Sequence, residues 1–243
     1  VGNPATMQAG DMASVRQFSF SLDPLALFNK QIMIPLLRFQ APEVHLQRNA
    51  DGKNNWTFKK QDEASKWKLD LQRVVFSEGV VFYKDAVKHA DVRADVETLE
   101  DDPTYGVGWK LSGTYNKAPV TGTGKAGAVL SLHRQLAPYP LQGDVRVGRT
   151  RITAEGTLTK PTRLAAIDFK LRLSGPSMAR LYPVIGVVLP ETPAFSTPGR
   201  LTGEIGEGSS RWIYDKFRGK VGSSDIGGKP NHGTLNPATA PRT

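Results

Sequence analysis

The chain has 243 residues, 39% hydrophobic and 23% charged, with no cysteine; this suits a globular chain of one large β domain or two small ones, and excludes a disordered one. The missing cysteines remove disulfide frameworks, thiolate zinc sites and cysteine nucleophiles together, and leave the redox compartment open. The formal charge of +9 would suit nucleic acid or anionic head groups, but Lys and Arg are scattered singly opposite apolar residues, the pattern of a solvated basic face.

In chain order, alternation begins with "FSFSL", which sets Phe18, Phe20 and Leu22 on one side. "SLDPLALFNK" offers Asp23 as a helix N-cap and Pro24 at the first helical position, before Leu25, Leu27 and Phe28. "EVHLQ" (Val44, Leu46) resumes the strand pattern, and Asp51-Gly52 marks a hairpin between "EVHLQR" and "WTF". A calcium loop aligned on Gly52 fails, because its bidentate position would be Phe58 and its first position Gln47. "DVRADVE" places Val92, Ala94 and Val96 against Asp91, Arg93, Asp95 and Glu97. "LEDDP" (Glu100, Asp101, Asp102) reads as a solvated loop, and "LSGTYNKAPV" as a turn.

"TGTGKAGAVLSLHRQLAPYPLQGD" contains a literal G-x-G-x-x-G, Gly122, Gly124 and Gly127, with Asp144 at the distance where a dinucleotide site would hold a ribose. Such a site needs a buried parallel strand before the first glycine, whereas "TYNKAPV" is polar and broken by Pro119. As a P-loop it fails too, since Ala126 follows Lys125 where Ser or Thr is required. The glycines are expected to let an edge strand twist or bulge.

Further on, "GDVRVGRTRITAEGTL" aligns Val145 and Val147, then Ile152 and Ala154, with a turn near Gly148. "IDFKLRL" aligns Ile167, Phe169, Leu171 and Leu173 against Asp168, Lys170 and Arg172. "SGPSMARLYPVIG" offers Ser174 or Ser177 as a cap, a turn or two with Met178, Leu181 and Tyr182, and a stop at Pro183 to Gly186. The longest apolar run, Val184 to Leu189, is far short of the ~20 residues that cross a bilayer, and no basic-then-apolar leader precedes Val1. "DKFRGK" (Asp215 to Lys220) is a weak aromatic-basic cluster. Residues 229–243, rich in Pro, Asn and Thr, read as a disordered tail or an added end.

Period two with one polar face predicts a mainly β fold: a long antiparallel meander, curled or open as a groove, with two or three short helices. No catalytic constellation stands out. The four histidines, His45, His89, His133 and His232, lie far apart with no H-E-x-x-H, and no G-x-S-x-G occurs. No catalytic residue, metal or cofactor is expected, and the chain reads as a non-enzyme.

Several phrases, in order, resemble the AsmA family of bacterial envelope proteins. They are "VGNPATM", "PLLRFQAPEVHLQRNADGKNNWTF", "LQRVVFSEGVVFYKD" with Gly79 at a hairpin turn, "GTYNKAPVTGTGKAG", "YPLQGDVRVGRTRITAEGTLTKPTRLAAIDFKLRLSG", "SMARLYPVIGVVLPETPAFSTPGRLTG" and "RGKVGSSDIGG". The resemblance covers nearly residues 1–228 and divides the chain into a module over 1–221, the start of a further strand at 222–228, and the tail. It implies a periplasmic protein, tethered to the inner membrane by an N-terminal helix missing from this chain. It also implies a part in outer-membrane assembly and lipid homeostasis, with an architecture similar to bridge-like lipid transfer proteins. Two departures stand: family members usually begin with an inner-membrane helix and run well past the last phrase, and the polar tail does not fit.

The residues support this from their own side. A sheet with one apolar face and few helices must either close on itself or leave an apolar trough, and an open trough is an interaction site. Acyl chains fit it, since the contact is non-directional and each buried CH₂ contributes about 0.8 kcal/mol. The expected wall is Val145, Val147, Ile152, Ile167, Phe169, Leu171 and Leu173. The alternatives are an ordinary closed core, an envelope assembly module that binds partner strands at its sheet edges, and a basic nucleic-acid binder, of which the last is not expected.

Overall fold

The computed structural model describes residues 2–3, 11–56, 68–134, 138–159, 166–185, 188–206, 209–216, 218–227 and 233–235. Its strands are β1 (Ala13–Phe20), β2 (Gln31–Ile34), β3 (Leu37–Arg48), β4 (Lys68–Leu71), β5 (Val74–Ser77), β6 (Gly79–Asp85), β7 (Ala90–Thr98), β8 (Val107–Tyr115) and β9 (Ala118–Ala126). They continue with β10 (Tyr139–Val147), β11 (Thr150–Thr159), β12 (Ala166–Gly175), β13 (Phe195–Gly206), β14 (Ser209–Asp215), β15 (Arg218–Val221), β16 (Ser224–Gly227) and β17 (Gly233–Leu235). Helices are few: α1 (Val129–Arg134), α2 (Tyr182–Ile185) and two 3-10 turns, Ala26–Asn29 and Met178–Leu181. The fold is mainly β, as the alternation required.

From β6 to β14 each strand pairs antiparallel with the next in sequence. Local chemistry makes these hairpins. Asn116 and Lys117, with φ of 47° and 65°, form the two-residue turn between β8 and β9 whose handedness matches the twist of the strands. Gly148, with φ of 57°, turns β10 into β11 at the expected place.

The amino-terminal part departs from a meander. β1 is antiparallel to β3, but β3 runs parallel to both β5 and β6, and β2 runs parallel to β4 in a small separate sheet. The hairpin expected at Gly79 is therefore not there. β5 and β6 continue in one direction along β3, kinked at Glu78 (φ 53°) opposite a kink at Ala41 (φ 47°). Gly79 serves close packing instead: a Cβ there would lie 2.8 Å from Val96 Cγ2 and 3.0 Å from the Val96 carbonyl oxygen.

The helical signals are borne out in part. The Asp23 carboxylate accepts a hydrogen bond from the Leu25 amide at 2.9 Å ahead of the first 3-10 turn. Ser177 caps the second, accepting from the Ala179 amide at 3.3 Å. The stop expected at Pro183 to Gly186 is met by the end of α2 at Ile185, with Pro183 itself in the first turn, where a missing N–H costs nothing. The Gly222–Ser223 turn joins β15 to β16. The expected tail lies outside the described residues apart from β17, which pairs with β14.

The sheet does not close: β1 stands at one end of the strand order and β17 at the other. Among the described residues, substantial packing joins sheet neighbours. The exceptions are β5 with β7, the first 3-10 turn with β2, and the second with α2. Among the described residues, the elements outside the large sheet are α1, α2, the two 3-10 turns and the two-stranded β2–β4 sheet, too few to cover it.

Candidate functional site

The register aligns side chains into rows that cross the strands. One row on the apolar face runs Ala13, Val44, Val81, Ala94, Leu111, Gly122, Val145, Ile152, Leu173 and Thr197. At ~4.8 Å per strand it extends roughly 43 Å. The matching row on the other face reads Asp95, Lys110, Thr123, Asp144, Thr153, Arg172 and Pro198. All seven residues named from the sequence fall on the apolar face of β10, β11 and β12. Val145, Ile152 and Leu173 are direct neighbours, Leu171 faces Ala154, and Phe169 faces Gly156.

Val147, Ile167 and Phe169 are buried, at 6%, 8% and 7% exposure. Val145, Ile152, Leu171 and Leu173 are only half-buried. The buried apolar side chains of this region gather toward the strand ends, Tyr139 with Ile167 and Phe169 at one, Val147 and Phe195 at the other. The second 3-10 turn caps the latter end, where the Thr150 hydroxyl donates to the Arg180 carbonyl at 3.1 Å and Leu181 is buried. α1 stands at the former, beside a hollow of about 640 Å³ lined in part by Val74, Phe76, Val107 and Leu130.

The glycines of the G-x-G-x-x-G find their purpose here, and not on an edge: β9 is an interior strand. Gly122 lies under Val145, whose Cγ2 would be 2.9 Å from an added Cβ, and Gly127 lies under the Tyr139 ring at 2.7 Å. A Cβ at Gly124 would collide with the Trp109 ring and the Gln142 carbonyl oxygen. The same arrangement recurs where Phe169 covers Gly156 and Tyr214 covers Gly199. Aromatic rings occupy the space above neighbouring glycines, a device that pins register. Asp144 is on the opposite face in a bidentate pair with Arg151, which leaves no dinucleotide geometry.

The "RNADGKNNW" phrase builds a buried polar knot. Asp85, 1% exposed, accepts from Arg48 (Nε, 2.9 Å), from the Tyr83 hydroxyl (2.5 Å) and from the Val87 and Lys88 amides (both 3.0 Å). Burial alone would raise this carboxyl; the hydrogen bonds from Arg48 and Tyr83 outweigh it and hold it well below the usual carboxylate range. Burial and the Asp85 carboxylate push Tyr83 up to about 12. Asn55, wholly buried, accepts from the Gln47 amide (2.9 Å) and donates to the His45 carbonyl (2.8 Å) and to Asn3 (2.9 Å). The Trp56 ring lies 6.0 Å from the Arg48 guanidinium. The knot is fully satisfied and structural.

Other candidates resolve as surface features. His45 stacks on Phe82 and contacts Glu43 at 2.6 Å; the side chain of His133 and all of His232 fall outside what is described. In "LEDDP", Asp102 pairs with Lys125 at 2.8 Å and accepts from the Thr104 and Tyr105 amides; its bond to Lys125 is the chief cause that lowers it to about 2. Among the described residues no group of His, Asp and Glu could hold a metal ion, and no helix is long and apolar enough to cross a membrane.

Comparison with known proteins follows the same phrases. Residues 1–107 and 102–232 match the model of the AsmA family. The AsmA family protein YhjG of Escherichia coli (strain K12) is 34% identical over 97% of this chain, which spans 38% of that relative's length. No solved structure matches. With the family model covering most of the sequence and the relative aligned along nearly all of it, the chain belongs to the AsmA family.

Proposed function

We propose that this chain carries lipid acyl chains along the apolar face of its sheet, as the periplasmic portion of an AsmA protein. Membership in an envelope protein family supports an envelope-associated function. What it does there is inferred from one observation: a row crossing ten strands, apolar except for Thr197, half-buried at Val145, Ile152 and Leu173, with too few other elements among the described residues to cover it. A leaflet's acyl layer is half of the ~30 Å hydrocarbon core, so a row of roughly 43 Å offers about three times the length one chain needs. Binding of this kind selects chain length over head-group chemistry and needs no catalytic residue, in line with a family not known for enzymes. The wider setting, tethering to the inner membrane through a helix elsewhere in the whole protein and service to outer-membrane assembly and lipid homeostasis, belongs to the same proposal.

The half-buried positions test it. Leu171→Asp and Leu173→Asp place a carboxylate that water can reach on an open face, so each variant is expected to stay folded and to lose binding of a fluorescent fatty acid. In a covered core the same changes bury an unpaired charge and unfold the protein. Unfolding of both, or undiminished fatty-acid binding by both, overturns the reading. A second reading, a non-catalytic assembly module that binds partners at a sheet edge, is favoured by β1: this terminal strand leaves Val15, Phe18 and Phe20 exposed. Loss of partner binding in Phe18→Asp/Phe20→Asp, with fatty-acid binding absent from the wild type, selects that reading.

A further inference from the structure

The opposite, charged face also holds a hollow. It occupies about 900 Å³ across β9 to β13, and six cations line it: Lys125, Lys170, Arg172, Arg200, Lys216 and Arg218. Two of these are engaged elsewhere, Lys125 with Asp102 and Arg200 in a bidentate pair with Asp168 at 2.8 and 2.6 Å. Of the acidic residues in the lining, Asp144 is held by Arg151. Lys170, Arg172, Lys216 and Arg218 make no ion pair among the described residues. Glu155, and Asp215 opposite Arg200, offset them only in part.

Two features make this more than a solvated basic face. Lys170 stands opposite Arg200 in the β12–β13 ladder and opposite Glu155 in the β11–β12 ladder; with Arg200 held by Asp168, the neighbouring Arg172 has Thr153 and Pro198 as its cross-strand partners and no carboxylate. In addition, a bulge lies beside two further cations. Between Phe195 and Arg200 β13 advances five residues, while its partner advances six from Asp215 to Val221. The extra residue falls at the break between β14 and β15, where Lys216 takes φ of 52°, a conformation uncommon outside glycine. Bulges re-aim side chains beside sites, and this one stands next to Lys216 and Arg218, which line the hollow together with Lys170 and Arg172.

We propose that this hollow docks an acidic, extended segment of a partner protein, on the face opposite the lipid path. Its concavity admits a chain segment and not a flat bilayer surface. Lys170 and Arg172, two residues apart on one strand, repeat at ~6.6 Å, the spacing at which alternate carboxylates of an extended peptide repeat. Thr123, Gln142 and Thr153 supply neutral hydrogen-bonding groups beside the cations.

The test titrates a fluorescein-labelled peptide of alternating Glu and Ser into the full 243-residue chain. Saturable binding is expected that weakens with salt. In Lys170→Glu/Arg172→Glu it should fall at least tenfold, with melting temperature and fatty-acid binding unchanged. If that variant does not fold, Lys216→Glu/Arg218→Glu, in the same lining, decides in the same way. No saturable peptide binding, or equal binding by wild type and variant, overturns the proposal. So does tighter binding of phosphatidylglycerol vesicles, inorganic phosphate or single-stranded DNA than of the peptide. Because the fatty-acid readout uses the other face, either reading can fail alone.

Discussion

Two regions of this sheet are held together by different means. Where β3 meets β6 the pairing is parallel across a long connection, and side chains specify it: Asp85 alone takes hydrogen bonds from Arg48, Tyr83 and two backbone amides. From β7 to β13 each strand pairs antiparallel with the next in sequence, β8–β9 and β10–β11 through two-residue turns, and backbone ladders hold them, with cross-strand packing of aromatics on glycines. A hairpin specifies its own register through its turn. A parallel neighbour that returns after a long excursion has no such local signal, so a buried polar constellation must mark where the strands meet. The central region is thereby free to leave its apolar face uncovered.

Breaking the knot should have the largest effect. Asp85→Ala leaves the Arg48 guanidinium, the Tyr83 hydroxyl and two amides without their shared acceptor, and removing one partner of a buried ion pair costs about 3–5 kcal/mol. The urea midpoint should fall accordingly, with the loss centred on β3 and β6 in hydrogen exchange; protection lost evenly over the sheet would dissolve the distinction between the regions. The pH dependence has a definite sign. Asp85 is held below its unfolded value, so its stabilisation is fully present above roughly pH 4 and is lost as pH falls through the lower folded value. Asp102, lowered to about 2 by Lys125 and two amides, acts in the same direction. Wild type should weaken below about pH 4, and Asp85→Ala should show a flatter acid limb. At the other extreme, Tyr83 and Tyr139, both raised to about 12 by burial, favour the neutral phenol. Their contribution is present below pH ~10 and disappears as pH rises toward about 12.

In the central region the most damaging change is predicted at a glycine. Gly124→Val must displace both the Trp109 ring and the Gln142 carbonyl that pairs β9 with β10. Overpacking of this kind costs about 1–3 kcal/mol. The Trp109 fluorescence should shift as its ring leaves the sheet. An unshifted spectrum with unchanged stability would show that Gly124 is not there for the indole.

Much of this was legible in the sequence. Alternation in "IDFKLRL" and "GDVRVG" put Ile167, Phe169, Leu171, Leu173, Val145 and Val147 on one face, and Gly148 and Ser177 marked a turn and a cap that exist. Period two reports which residues share a face, but carries nothing about which strand lies alongside or in what direction. That is why "SEGVVF" looked like a hairpin when β5 and β6 run on together beside β3. The basic hollow was hidden for a similar reason. Lys170, Arg172, Lys216 and Arg218 appear singly along the chain, and pairing of β12 with β13, plus a one-residue bulge, assembles them.

The smallest effect belongs to the counterpart of the knot on the charged face. Asp144 and Arg151 form a carboxylate–guanidinium pair on neighbouring strands, as Asp85 and Arg48 do, yet their side chains are 44% and 54% exposed where Asp85 is fully enclosed. Water solvates both partners before and after the bond forms, and exposed pairs contribute about 0.2–1 kcal/mol. Asp144→Ala should therefore shift the urea midpoint by a small fraction of the Asp85→Ala shift. The bond to Arg151 is the main cause that lowers the Asp144 carboxyl, but at this exposure it gives little purchase on stability. A double-mutant cycle with Arg151→Ala measures the pair directly. A coupling close to that of the buried pair would mean that burial is not what separates the two regions, and that the knot owes its strength to the number of its hydrogen bonds instead.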